Sequence, residues 1–196
     1  NCFPRTLKAI EFENGAPKLN AIDDYAFSNT QIEKISLPLN TTPFRHSHNV
    51  FLNCKKLNTI VFDQYINKEE EPDENIINDD DDYNRSYLLS QTKIENLEIY
   101  VSGLKKFHFF NTPKLNSITV PKGKYAKYVK QKGCLYTKDK KKLIVAERNI
   151  KSATINSKCQ SIENYAFNIK SLEKVTFENE SELEEISFFA FSESQI

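Results

Sequence analysis

The side chains of this sequence best suited to chemistry are three histidines, four cysteines and a run of carboxylates. His46 and His48 would share one face of an extended strand, the beginning of a zinc site. No cysteine or carboxylate cluster completes that site, and His108 lies far along the chain. Cys2, Cys54, Cys134 and Cys159 form no C-x-x-C pair, so zinc and thioredoxin-like chemistry lack a motif. Their even number permits disulfides, but their dispersion suits buried small hydrophobes better. Asp80, Asp82 and Asn84 have the one-three-five spacing of a calcium loop, which would then need a glycine at 85 and a glutamate at 91. Arg85 and Gln91 stand there instead. No nucleophile elbow, Walker loop or His-Glu-x-x-His motif occurs. The expectation is no enzyme, no cofactor and no metal.

Composition narrows the remaining classes. Hydrophobic residues make up 39% of 196, enough for an ordered core. Lys and Arg total 27 and Asp and Glu total 27, so bulk electrostatics disfavours a nucleic-acid partner. No stretch approaches the ~18–20 apolar residues of a membrane span. Methionine is absent, so the first residue is expected to be a processing or cloning boundary.

The elements that position any site come from a repeat. One phrase, apolar-x-x-apolar-x-apolar, occurs at residues 7–12, 32–37, 57–62, 94–99, 115–120, 150–155 and 172–177. Ile196 reads as the start of an eighth copy. A second phrase sits between copies: Ile22-Asp23-Asp24-Tyr25-Ala26-Phe27 matches Ile162-Glu163-Asn164-Tyr165-Ala166-Phe167 and Ile186-Ser187-Phe188-Phe189-Ala190-Phe191. Its last aromatic precedes the next copy by five residues in Phe27 to Ile32, Phe110 to Leu115 and Phe167 to Leu172, and by six in Phe51 to Leu57. Alternation within the first phrase predicts short strands, with Ile10 and Phe12 inward and Glu11 outward. Such a strand buries its apolar face only by stacking on its neighbours in a parallel sheet. The second phrase predicts a tight outer turn whose Phe plugs the interior. Pro38 and Pro121 follow their strands, where loss of an amide donor ends the ladder.

Repeats of this form, together with Asn53-Cys54-Lys55-Lys56-Leu57, resemble the BspA-like leucine-rich-repeat proteins. The looser turn Phe27-Ser28-Asn29-Thr30-Gln31-Ile32 and the segment Cys134-Leu135-Tyr136-Thr137-Lys138-Asp139-Lys140 are most similar to the trichomonad versions. The resemblance covers the chain apart from two insertions. It implies a leucine-rich-repeat solenoid, β-rich, with a parallel sheet on the concave face and short turns, strands and 3-10 segments on the outer side. It also implies a surface or secreted protein that binds proteins of a host cell surface or matrix. The repeats alone equally permit an intracellular scaffold.

Residues 1–196 are therefore expected to form one solenoid fragment of about seven repeats. An acidic loop should interrupt it at 66–86, and a basic hairpin at 122–147 should protrude, with Leu135-Tyr136-Thr137 pairing Leu143-Ile144-Val145. Lysines of that hairpin could meet acidic glycans or anionic surfaces, or simply guard an edge. Both ends fall inside repeats, so neighbouring coils or caps are expected in the full protein. Binding should use the outward side chains of the strands: Glu11, Ser36, Glu98, Thr119, Thr154 and Thr176, with Val61 in the same column and Tyr100 in the next. Tyr100 is the aromatic of these columns and the natural anchor. Asn40, Asn84 and Asn179 begin glycosylation sequons, which matter only on a secretory route.

Overall fold

The computed structural model describes residues 3–12, 22–38, 48–63, 89, 91–100, 109–120 and 128–196. The acidic loop at 66–86, Cys2, His46, His108, Asn40, Asn84, Pro121 and the basic residues from 122 to 127 lie outside the described residues. Alternating apolar residues make the first four strands: β1 (Lys34–Pro38), β2 (Thr59–Asp63), β3 (Asn96–Ile99) and β4 (Ser117–Thr119). They form a parallel sheet in that order. The register aligns Ile35, Ile60, Leu97 and Ile118 in one row and Leu37, Phe62 and Ile99 in another. Both rows are fully buried. Residues 7–12 take no strand assignment, contrary to expectation, although the Gln31 amide donates to the Leu7 carbonyl at 2.8 Å and keeps that segment on the stack.

The turns between strands explain why a repeat protein can manage with only 4 glycines. Left-handed backbone recurs two residues before the plugging aromatic, at Tyr25, Asn49, Tyr165 and Phe189. It recurs two residues after the plug at Asn29, Asn53, Gln91, Asn111 and Glu193. Asparagine tolerates this region better than other side-chain-bearing residues, and it fills three of the five later positions. Three residues beyond the plug, a buried Thr30, Thr92 or Thr112 hydroxyl donates back to the plug residue's carbonyl at 2.7–3.0 Å. Cys54 holds the same position, its thiol donating to the Phe27 carbonyl at 2.9 Å. The plugs stack from repeat to repeat: Phe3 on Phe27 at 5.0 Å, Phe27 on Phe51 at 5.4 Å, Phe167 on Phe191 at 5.0 Å. One expected plug is corrected: Phe109 is buried and Phe110 exposed. The left-handed residue Asn111 fixes the phase, as Asn53 does after Phe51.

The second half differs more from expectation. β8 (Ser152–Ile155) pairs in parallel only with β10 (Lys174–Phe177), and neither is bonded to β4. Between the two panels come β5 (Tyr128–Gln131), β6 (Cys134–Thr137) and β7 (Lys142–Ala146), antiparallel to one another. β7 continues in parallel into β9 (Ser161–Ile162) and β11 (Glu185–Ile186). The β6–β7 hairpin does not protrude. Tyr128, Leu135, Ile144 and Val145 join the core of the first four strands, while Val129, Cys134, Tyr136, Leu143 and Ala146 pack with the core of β8 to β11. A register shift between Leu135 and Tyr136 lets consecutive residues of β7 face the same core. The hairpin is thus a partition between two cores, buried on both faces. At the β5–β6 turn, Lys132 and Gly133 are both left-handed, and a Cβ on Gly133 would meet Ile150 Cγ2 at 3.0 Å.

Phe167→Ala should cost about 3–5 kcal/mol in a denaturant titration, since the ring is fully buried and stacked. At Asn111, exchange for valine should cost about 1–2 kcal/mol, while exchange for glycine stays within about 0.5 kcal/mol of neutral.

Candidate binding surfaces

The outward positions of β1 to β4 form a row set by register: Ser36, Val61, Glu98 and Thr119 stand side by side. Thr154 and Thr176 form the equivalent row on β8 and β10. Glu11 is exposed on the non-strand segment ahead of β1. Tyr100 follows β3 directly, 39% exposed, its amide donating to the Phe62 carbonyl at 2.8 Å. The predicted residues therefore divide between two panels rather than lining one unbroken sheet.

Several of these side chains are already engaged. Lys34 Nζ reaches across β2 to within 3.7 Å of Glu98 Oε1, and Val61 on the crossed strand is buried. The Thr154 and Thr176 hydroxyls lie 3.1 Å apart, and Thr176 also donates to the Ala153 carbonyl at 3.3 Å. Below them, the Glu178 carboxylate accepts from Asn156 Nδ2 and the Ser157 amide, each at 3.0 Å. The second panel is thus a preordered patch of hydroxyls and amides. Exposed aromatics also occur where sequence reasoning did not place binding residues. Phe188 is 83% exposed and Phe189 63% exposed, with Phe189 stacked on Tyr165 at 5.4 Å and Phe110 tilted against Tyr165 at 5.0 Å. The signal lay in the Tyr-Ala-Phe phrase, whose first aromatic occupies a left-handed outer position.

The join between panels holds the most unusual electrostatics. Glu147 Oε1 accepts the Ile118 amide of β4 at 2.9 Å, taking a donor that a fifth strand would otherwise use. Lys130 Nζ balances that carboxylate at 2.9 Å. Next to it, Arg148 is 5% exposed and donates to the carbonyls of Ala166, Phe109 and Tyr165 at 2.8–3.1 Å and to Thr112 Oγ1 at 3.3 Å. Burial pulls its guanidinium down to about 9, still charged at neutral pH. Those oxygens come from turns on either side of the partition, so Arg148 ties the two cores together. Its role was not legible in the sequence, where it is one basic residue among many.

Reactive groups lie apart from these surfaces. Cys54, Cys134 and Cys159 are free and buried. Burial pushes the Cys134 thiol up to about 12 and the Cys159 thiol up to about 11, and raises the Tyr136 phenol as well. His48 Nδ1 stands 3.7 Å from Asp24 Oδ1 on an exposed turn. Among the described residues, no three His, Cys, Asp or Glu side chains converge as a metal site. Nor is any helix among them long and apolar enough to cross a membrane. Asn179 is exposed beside the left-handed Glu180.

A sequence profile described as the BspA type leucine rich repeat region matches in six copies, over residues 1–71 and 85–196. Among solved structures, the crystal structure of the pneumococcal vaccine antigen PcpA has a TM-score of 0.50 at 21% identity. That match covers 88% of this chain and 40% of the antigen, so the chain spans less than half of that structure. The likeness is one of fold. No curated protein matches the sequence.

Two measurements follow from the buried groups. In the unfolded chain thiols ionise near about 8.5 and phenols near about 10. The folded state keeps protons that the unfolded state releases, so this contribution to stability is complete below about 8.5 and lost as pH rises toward the folded values. Melting temperature should therefore fall as pH is raised above about 9. Arg148→Ala should destabilise by about 3 kcal/mol or more, because it removes four charge-assisted hydrogen bonds of a buried guanidinium and leaves a void between the two cores; chemical denaturation reads it.

Proposed function

This chain belongs to the BspA-type leucine-rich-repeat family, and from that premise we propose that it is a non-enzymatic protein-binding module of a cell-surface or secreted adhesion protein. Residues 1–196 act as a single solenoid array, with 66–86 as an acidic excursion and the strands between 128 and 146 as an internal partition. Its ligand is a protein of a host cell surface or matrix, and the turn sequences keep a trichomonad-like parasite as the expected source. The observation that carries the reading is the strand register, which lines up outward side chains over successive repeats. Solenoids bind along such faces because the backbone holds the side chains at fixed spacing, at little entropic cost on association.

Within the concave face, Tyr100 is the anchor and Thr119, Thr154 and Thr176 supply hydroxyls. Ser36, Glu98 and Glu11 extend the surface toward the N-terminal repeats. The Lys34–Glu98 pair is solvent-screened and easily opened, so it gives register rather than affinity. The description of PcpA as a vaccine antigen is in keeping with an exposed location for this type of fold.

Labelled chain applied to plates coated with individual matrix proteins should bind at least one of them saturably. Tyr100→Ala and Thr154→Arg should each weaken that binding about tenfold. Absence of saturable binding, or binding indifferent to both changes, would count against the proposal. Surface labelling of intact source cells should reach the protein; labelling only after permeabilisation would favour the scaffold reading.

A further inference from the structure

The residues just before each repeat's opening apolar position come to one flank of the array. Arg5 precedes Leu7, Lys55 and Lys56 precede Leu57, Lys114 precedes Leu115 and Lys170 precedes Leu172. Two of these cations are neutralised: Lys114 lies 3.5 Å from Glu95, and Lys170 lies 3.7 Å from Glu193. Arg5, Lys55 and Lys56 are different. None of them has an ion-pair or hydrogen-bond partner among the described side chains, and together they line a groove of ≈ 560 Å³.

The other lining residues are Asn29, Gln31, Asn53 and the buried Thr30, whose amides and hydroxyl stand among the aliphatic stems of the wall. No carboxylate and no apolar side chain lines it. Asn53 Nδ2 donates to Asn29 Oδ1 at 3.2 Å, and both residues are left-handed, so the turns fix the amides in place. The Gln31 side-chain amide and Asn29 Nδ2 have no hydrogen-bond acceptor among the described residues, leaving donors in the groove wall. Arg5 and Lys55 stand two repeats apart, about 10 Å at the spacing of adjacent strands. Three like charges around one recess repel each other, and a bound polyanion relieves that repulsion.

We propose that the groove between Arg5 and Lys55–Lys56 binds a sulfated polysaccharide. Cations at disaccharide-like separation meet successive sulfates, and the interleaved amides meet ring hydroxyls. A peptide would want an apolar pocket for its anchor, and none lines this wall. A membrane would want a flat or convex cationic face rather than a recess. The site is separate from the strand face bearing Tyr100, so it adds a second specificity to the module.

The test is calorimetric titration of the whole chain with heparin, alongside fully desulfated heparin, polyglutamate and phosphatidylserine vesicles. Heparin should bind at physiological ionic strength and weaken steeply with salt, as expected with a Debye length of about 8 Å. The double change Lys55→Glu/Lys56→Glu should lower affinity about tenfold or more, and Arg5→Glu should act in the same direction. Lys55→Arg/Lys56→Arg should retain binding. Lys140→Glu/Lys141→Glu, at the β6–β7 turn, should change it by less than about twofold. Melting curves check that each variant is folded, and Arg5→Glu stands in if the double variant is not. The proposal is overturned if heparin does not bind, if desulfated heparin binds equally, or if the β6–β7 change rather than the groove changes abolishes binding. Equal, groove-dependent binding of polyglutamate or vesicles overturns the assignment to a polysaccharide.

Discussion

Strands of three to five residues with one apolar face, as in β1 to β4, cannot bury that face alone. Everything else in the molecule answers to this requirement. Ile35 is covered because Ile60 stands beside it in register, and Ile60 because Leu97 does. The turns obey the same rule, since Phe27 is sandwiched between Phe3 and Phe51. Main-chain bonds run the same way: the Phe27 amide donates to the Val50 carbonyl and the Phe167 amide to the Ala190 carbonyl. Stability is thus a sum of contacts between neighbours, and each outward side chain is held at the spacing of the strands beneath it.

Such an array is vulnerable wherever neighbours fail to match, and here they fail between β4 and β8. The partition strands repair the fault by giving each core a wall of its own. Glu147 then satisfies the amide left open on β4, and Arg148 satisfies carbonyls on both sides. A buried cation is tolerable because its acceptors are many and fixed, though replacing it by an apolar residue of similar volume need not destabilise. The functional consequence is a divided face. Two panels of parallel strands flank a join made of side chains.

Much of this was legible in the sequence because periodicity is an inexpensive signal. Alternating residues placed six of the seven expected strands, and the Tyr-Ala-Phe phrase placed the turns. Phase was harder: nothing local distinguishes Phe109 from Phe110 as the plug, and Asn111 decides it only through its left-handed backbone. The protruding hairpin was misread because its lysines drew attention from Leu143-Ile144-Val145-Ala146, an unbroken apolar run that belongs between two cores. The columns of outward residues were placed by alternation, but their mutual engagement, such as Lys34 with Glu98, depends on side-chain reach across a strand. The cationic groove depends on stacking of three repeats, which no single segment reveals.

Stacking of repeat upon repeat is most directly tested by amide hydrogen exchange at Phe27, Ala146 and Phe167, whose N–H groups donate to Val50, Ala166 and Ala190 in adjoining elements. These three protons should exchange at least about a thousandfold more slowly than in an unstructured peptide, as expected for interior bonds that open only with the core. Exchange at these positions near the unstructured rate would mean the repeats do not lean on one another, and the proposed binding face would lose its support.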